Sequence, residues 1–560
     1  MRRIATLCFT LALFASLALA QGLTGQISGS LTDAGGAVVP NATIQVVNQE
    51  TAQSRTITSD SDGNFVAPQL LPGAYAITVT AAGFKKYEQR GIPVTANERV
   101  TLRKITLEVG DLSQTVTITA EAALVKTESA ERAGLIDEQQ IQNTPLKGRD
   151  YMGLVKLLPG VVDTANREAP GWNNLVGVSI NGSRPGTINL TLDGVSSLDT
   201  GSQLGPYLAP GLDAIGEVKI LMTNYQAEYG RSSGGTINVV IKNGTRDFHG
   251  GGFYFKRHEQ FNANEFFNNL RNVTKPRYRF NYWGGTIGGP VVIPGTGFNK
   301  NRDKLFFFWS QEYLPRLYPT RQGTITYPTA LERAGNFSQS RDTNGNVIAV
   351  RDPTTGQAFP GNISPANRID ANGQKLLSIF PLPNFNAASV NYNYNNVFQS
   401  QVDQPRREEI LRMDWNIGQK TTFYARGIQN YEAFKGDFNF VLASNVWPQF
   451  PIKYAIDSRG LVSTLIHSFT PTLTNEATFG INRALQTVEP LNQEGIDRND
   501  RVKLGLTLPQ FFPAANPLRL LPNATFGGIP NATQFNIEQR FPFFGTNNIW
   551  NWSDNLSWVK

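Results

Sequence analysis

From residue 22 to about 107, apolar and polar positions alternate in short runs separated by turn residues. The runs are Gly25–Leu31, Ala42–Asn48, Gln53–Ser59, Gly63–Gln69, Gly73–Ala81, Tyr87–Val94 and Arg99–Leu107. Asp33-Ala34-Gly35-Gly36, Asp60-Ser61-Asp62-Gly63 and Leu71-Pro72-Gly73 break them. Period-two runs at this spacing predict a β-sandwich. Between 108 and 245 the pattern changes. Gln114–Glu121 alternates like an exposed strand. Tyr151, Leu154, Val155 and Leu158 share one helical face, with Asp150 placed to cap it and Pro159-Gly160 to stop it.

From about Phe248 the alternation returns and stays. Phe253 and Phe255 alternate with Gly252 and Tyr254. Later candidate strands are Phe280–Ile287, Lys304–Tyr313, Glu409–Ile417, Thr421–Gln429, Gly460–Phe469, Thr474–Arg483 and Asn548–Val559. Each approaches the ~9–11 residues that a tilted membrane strand needs. Ala477, Phe479 and Ile481 oppose Thr478, Gly480 and Asn482, apolar outside and polar inside, and Trp550, Trp552 and Trp558 share one parity. Pro315–Ser400 is rich in Asn, Pro and Gly and predicts a long extracellular loop.

Composition adds a compartment. Arg2 and Arg3, an apolar run from Ile4 to Leu19, and Ala18-Leu19-Ala20 before Gln21 have the layout of a secretory signal peptide; the other reading is an uncleaved helix. The one cysteine, Cys8, lies inside that leader, so the mature chain is expected to hold no disulfide, thiolate nucleophile or Cys-based metal site. Losing Arg2 and Arg3 with the leader takes the formal charge from +7 to +5, too small a bias to argue for nucleic acid. No later stretch reaches the ~18 apolar residues of a membrane helix. The expected class is all-β dominated, an N-terminal β-sandwich followed by a transmembrane antiparallel β-barrel; the family resemblance of the motifs that follow makes the middle region an α/β plug domain and the barrel incomplete.

The motifs sharpen this. Gly25-Gln26-Ile27-Ser28-Gly29, Pro40-Asn41-Ala42-Thr43-Ile44, Asp60-Ser61-Asp62-Gly63-Asn64-Phe65, Leu71-Pro72-Gly73-Ala74-Tyr75 and Gly83-Phe84 resemble the carboxypeptidase regulatory-like domain, a carbohydrate-binding-like sandwich. The resemblance leaves two roles open, sugar binding and a structural spacer. Three later segments resemble the plug of TonB-dependent outer-membrane receptors. They are Ile136 to Val161, Val178 to Val195, and Ile215 to Lys242. With the sandwich in front, the chain looks most like the Oar-like branch of that family, and the resemblance spans the whole chain. It implies four regions: a signal peptide (1–20), the regulatory-like sandwich (22–107), a TonB box and plug (108–245), and the N-terminal part of a β-barrel (246–560) with a long loop near 315–400.

What the family does is implied by the same resemblance. A TonB-type inner-membrane energy-coupling protein would pair with a short extended segment before the plug, by β-augmentation. Thr115, Val116, Thr117, Ile118, Thr119 and Ala120 resemble that box; the other reading of the run is a final strand or linker of the sandwich. The plug signature comprises Gly148, Arg149, Gly182, Arg184, Asp193, Gly194, Tyr229, Gly230, Arg231 and Gly235. The glycines suit tight turns or close backbone approach. Arg149, Arg184, Arg231 and Asp193 are expected to form plug–plug or plug–wall ion pairs, because a buried unpaired charge is costly. The implied function is TonB-dependent active transport of a large or scarce ligand across the bacterial outer membrane. The alternative is a non-transporting adhesion or carbohydrate-binding protein on the same scaffold. Partners would be the energy-coupling protein, outer-membrane lipid, and a ligand that the sequence does not distinguish among oligosaccharide, metal chelate and peptide.

Enzyme chemistry is not expected, nor is a cofactor or a metal. Gly230-Arg231-Ser232-Ser233-Gly234 matches a hydrolase nucleophile pattern, but Gly235–Ile241 after it reads as a strand, where the hydrolase requires a helix. Roughly eight candidate strands follow residue 248, whereas outer-membrane transporters close at about 22. The chain is therefore expected to be part of a longer product; the alternative is a small complete barrel, whose lumen is too narrow for a plug.

Overall fold

A computed structural model describes residues 22–559, apart from 112, 120–128, 166, 172–174, 227–228, 231, 271–272, 321, 437–448 and 538–541. The leader assigned to 1–20, together with Ala120 and Arg231, lies outside the described residues.

The N-terminal strands are β1 (Gly25–Asp33), β2 (Thr43–Asn48), β3 (Ser54–Thr58), β4 (Asn64–Leu70), β5 (Gly73–Thr80), β6 (Lys86–Val94), β7 (Arg99–Thr101), β8 (Ile105–Leu107) and β9 (Thr115–Thr119). They form two sheets. One has the order β4-β1-β7, with β8 also on β1; the other runs β3-β2-β5-β6-β9. Alternation drives the packing. On β2, Ile44 and Val46 are buried while Thr43 and Gln45 face water. Ile27, Ile44, Ile77 and Val79 are fully enclosed between the sheets, each contributing about 1.5–3 kcal/mol of burial. The Asp60 side chain accepts from the backbone N–H groups of Asp62 and Asn64, which fixes the turn into β4.

The run expected as one strand, Arg99–Leu107, is two. Val100 and Leu102 are buried, and then Ile105 and Leu107. The buried parity slips by one across Arg103-Lys104, both exposed, as at a β-bulge. β7 and β8 each continue in parallel along β1.

The plug follows. Its strands are β10 (Arg132–Ile136), β11 (Val161–Asp163), β12 (Val178–Ile180), β13 (Asn189–Leu192), β14 (Val195–Ser196), β15 (Ile215–Thr223) and β16 (Thr236–Ile241). Five make a mixed sheet, β10-β15-β16-β13-β14, and β11 pairs with β12. β16 is central and buried along its whole length, which its apolar run Ile237, Val239, Val240, Ile241 permits. The helix Glu138–Asn143 starts at a reciprocal cap between Asp137 and Gln140 and buries Ile141 against the sheet. The helical face expected from Tyr151 to Leu158 condenses to a single turn, Met152–Val155. Asp150 accepts from the Met152 N–H at 3.0 Å, and the chain leaves at Gly160 with φ of 90°.

The last region is one antiparallel meander of eight strands. These are β17 (His249–His258), β18 (Arg279–Pro290), β19 (Leu305–Pro319), β22 (Gln401–Asn416), β23 (Thr421–Gly436), β24 (Ile452–Thr470), β25 (Leu473–Pro490) and β26 (Phe543–Trp558). β20 (Gly323–Ile325) and β21 (Asn396–Phe398) form a ribbon inside the long connection between β19 and β22. β17 and β26 are the two edges of the sheet, which does not close. The sequence places the strands but underestimates their length: β24 and β25 run 19 and 18 residues. Apolar alternation marks only the part of each strand that faces lipid. The ladder continues beyond it, where the outward face turns polar while the inward face buries Tyr454, Ile456 and Val488 in an apolar cluster.

Candidate functional site: the plug and its seat in the wall

The plug core does not end at the plug. Phe308, Ile410 and Ile428, on the inner face of the wall, belong to the same buried cluster as Leu190, Val218 and Ile237. Around that apolar contact, the wall presents charge. On β22 the inward positions include Arg406, Glu408, Ile410, Arg412 and Asp414, all buried.

These wall groups hold the plug backbone between Leu192 and Gly211 and at Ile241. Asp193 sits in a turn at φ of 50°. One of its carboxylate oxygens accepts from the Ile241 N–H at 2.9 Å, and the other from Arg426 Nε at 2.8 Å. Arg426 also donates to the Leu192 carbonyl at 3.2 Å. Directly opposite Arg426 on the neighbouring strand is Arg412, which grips Asp414 at 2.8 Å and donates to the Ile241 carbonyl at 2.7 Å. The carboxylates of Asp193 and Asp414 offset two adjacent buried guanidinium groups.

A second clamp lies one level along. The Gly211 N–H donates to Glu408 at 2.8 Å, Arg406 donates to the Ala209 carbonyl, and Asn430 bonds both the N–H and the C=O of Ala209. A side chain at Gly211 would collide with the Glu312 carboxylate, its Cβ lying 2.1 Å from the nearest atom. Farther round the wall, Asn482 donates to the Ser196 carbonyl at 2.5 Å, and Asn547 bonds Thr200 and Tyr207.

The signature residues fall into different places. Arg149, at φ of 53°, pairs with Asp213 at 2.9 Å and stacks over the inward rings of Phe253 and Phe255, 4.1 and 4.8 Å from their centroids. Gly148 lies so close to the Arg167–Glu168 backbone that a Cβ would sit 2.2 Å from a carbonyl oxygen. Gly182 and Gly194 occupy turns, and Gly235 enters β16 with φ of 103°. Tyr229 is buried, and Gly230 is exposed beside it. Arg184 differs from the ion-pair expectation. It is exposed on the turn before β13, so water solvates its charge and no partner is required. Ser232 Oγ bonds the carbonyls of Thr187 and Gly235, and β16 follows: a turn feeding a strand.

Two further groups lie under the plug. Burial pushes the Asp150 carboxyl up to about 6, against the pull of Arg167 and the Met152 N–H. Glu217, withdrawn from solvent, is pushed up to about 7. It accepts from the Ala96 N–H at 2.6 Å, while Lys219 donates to the Ala96 carbonyl at 2.7 Å. One residue of a sandwich loop is thus held at both its N–H and its carbonyl by plug strand β15. The sandwich also touches the wall, where Gln69 donates to the Asn555 carbonyl at 2.6 Å and Thr24 to Glu476 at 2.6 Å.

Thr115–Thr119 is β9, the edge strand of the second sandwich sheet. It is paired in parallel with β6 from Lys86–Thr115 to Arg90–Thr119. Its other edge carries no strand among the described residues. The wall residues Arg406, Glu408, Arg412, Arg426 and Asn430 were not singled out from sequence. The available signal was charge recurring at every second residue on the parity opposite the apolar one.

Comparison with known proteins matches two family models. Residues 240–560 match an outer membrane beta barrel domain, and residues 26–108 match a carboxypeptidase regulatory-like domain. The TonB-dependent transporter Oar of Myxococcus xanthus is 28% identical over 321 residues, which make up 53% of this chain and 27% of that protein. The chain therefore covers about a quarter of the length of that relative. Among solved structures, the outer membrane transporter YddB of Escherichia coli aligns over 76% of this chain and 45% of its own, with 12% identity and a TM-score of 0.43. The siderophore receptor PirA of Acinetobacter baumannii aligns over 75% and 44%, with 11% identity and a TM-score of 0.36.

Proposed function

We propose that this chain, which belongs to the outer membrane beta barrel domain family, is of the TonB-dependent receptor type and serves active, TonB-dependent uptake, with the plug as the gate. The observation that carries this reading is the chemistry of the seat. Beside the apolar contact of Phe308, Ile410 and Ile428, the plug is held to the wall by ion pairs and by side-chain bonds to its backbone between Leu192 and Gly211. A permanent core would bury apolar surface throughout. A polar seat can be exchanged for water when the plug moves, since each broken bond is replaced by a bond to solvent.

The handle for that motion is β9. Its free edge offers main-chain donors and acceptors to an extended segment of an inner-membrane energy-coupling protein. The ligand would be large or scarce, since smaller solutes need no gate. Oligosaccharides, metal chelates and peptides all fit that description.

The test uses proline at adjacent positions of β9. Successive N–H groups point to opposite sides of a strand, so Thr117→Pro and Ile118→Pro each remove a donor on one side only. The probe is the periplasmic domain of a TonB-type protein, added to the purified chain. One of the two variants is expected to lose binding at least about tenfold while the protein is still recovered from outer membranes. Undiminished binding by both would remove β9 as the handle.

A further inference from the structure

The outward face of the sheet changes character at one level. Trp309, Leu411, Gly427, Leu461, Ile481 and Trp550 are registered neighbours across β19 to β26 and face outward. Two residues farther along each strand, the same face carries Gln311, Glu409, Gln429, Arg459, Arg483 and Asn548. The long connections 320–400 and 491–542 leave from that end. In outer-membrane barrels the longer loops are extracellular. This level is therefore the outer boundary of the apolar band, where lipid headgroups begin.

At that boundary Arg459 and Arg483 stand directly opposite one another on β24 and β25. Both are exposed, Arg459 with 68% of its side chain accessible. Like charges directly opposite on paired strands repel. Asp457 reaches Arg459 at 3.2 Å, but the residue opposite Asp457 is Leu485, so among the described residues no second carboxylate stands at that register position to balance Arg483. Immediately on the membrane side lie Leu461 and Ile481, then Phe479 packed against Trp552 at 5.7 Å, with Trp550 and Trp552 stacked at 5.9 Å. Two guanidinium groups above an aromatic and aliphatic floor match a lipid with an anionic head and several acyl chains.

We propose that Arg459 and Arg483 bind the phosphate of a phosphorylated glycolipid in the outer leaflet, whose acyl chains lie over Ile481, Phe479 and the tryptophan pair. Arginine forks hold phosphate through paired N–H···O bonds. A doubly charged oxyanion between them converts the repulsion of the pair into attraction. The site rests on outer-membrane residence and is independent of the transport reading.

The experiment is native mass spectrometry of the detergent-purified full chain, with lipid A as the probe. The wild type is expected to retain lipid A and to lose it when the lipid's phosphates have been removed. Arg459→Gln with Arg483→Gln should lower occupancy at least tenfold, while Arg459→Lys with Arg483→Lys should hold an intermediate share. If the double glutamine variant is not recovered from outer membranes, Arg483→Gln alone carries the test and should weaken retention. Equal retention by the glutamine variants would overturn the site. So would equal binding of the dephosphorylated lipid, or full displacement by inorganic phosphate, which would leave a free-anion site only.

Discussion

Asp193 of the plug and Arg426 of β23 meet at 2.8 Å with almost no solvent on either side chain. A pair so enclosed does not by itself argue for net stability, because removing two ions from water is expensive. Its effect is conditional. With both partners present, the charges are satisfied. With one removed, the other is stranded in the wall.

Asp193→Asn is therefore expected to cost about 3–5 kcal/mol at the plug–wall contact. The amide keeps an acceptor for the Ile241 N–H but leaves Arg426 charged and unmatched. Asp193→Asn with Arg426→Met should recover part of that loss. Limited proteolysis of the plug in the detergent-purified protein reads this, and additive damage in the double variant would contradict the pairing.

Gly211→Ala puts a methyl group where the Glu312 carboxylate lies. Either the Glu312 carboxylate breaks from the Tyr282 hydroxyl or the backbone withdraws, taking with it the N–H that donates to Glu408. The expected cost is about 1–3 kcal/mol, seen as earlier proteolytic cleavage near Ala209. Unaltered protection would show that the wall yields there.

Arg149 contributes through shape as well as charge. Arg149→Lys retains a cation near Asp213 but loses the planar stack on Phe253 and Phe255. A loss of about 1–2 kcal/mol is expected. In a double-mutant cycle with Phe255→Leu, the second substitution should matter less once Arg149 is lysine. Independent effects would mean that the rings only pack.

Asp150 gives the plug a pH dependence. Its carboxyl is held at about 6 in the fold and returns to about 3.9 on unfolding. Between those values the folded form binds more proton, so stability falls as pH rises through the window and is level above it. Asp150→Asn keeps an acceptor for the Met152 N–H and cannot ionise. The slope of plug protection between about pH 4 and 6 should flatten in that variant; an unchanged slope would assign it to another group.

The sandwich was legible because one buried face per strand leaves a period-two signature, as on β2. It failed at Arg103-Lys104, since a one-residue parity slip is invisible without knowing which face is inside. The membrane strands were placed by aromatic parity at Trp550 and Trp552, but their extent was not, because that signal stops where lipid stops. In the plug, Asp193 and Arg149 were visible as charges in turns. Their partners Arg426 and Phe253 are set by how the plug lies in the wall, and Asp213 by how the plug itself folds, which local pattern does not encode. Helical periodicity from Tyr151 to Leu158 overstated the helix: Tyr151, Leu154 and Val155 are buried through a single turn and its flanks.

The parallel pairing of β9 with β6 has a mechanical consequence. Five registered positions link the two strands, from Lys86–Thr115 to Arg90–Thr119. A tug along the strand axis loads these bonds together, in shear, and they resist as a group. A tug across the axis peels them off singly, at a much lower force. The same segment can thus be a firm anchor or a zip fastener, according to the angle from which it is pulled.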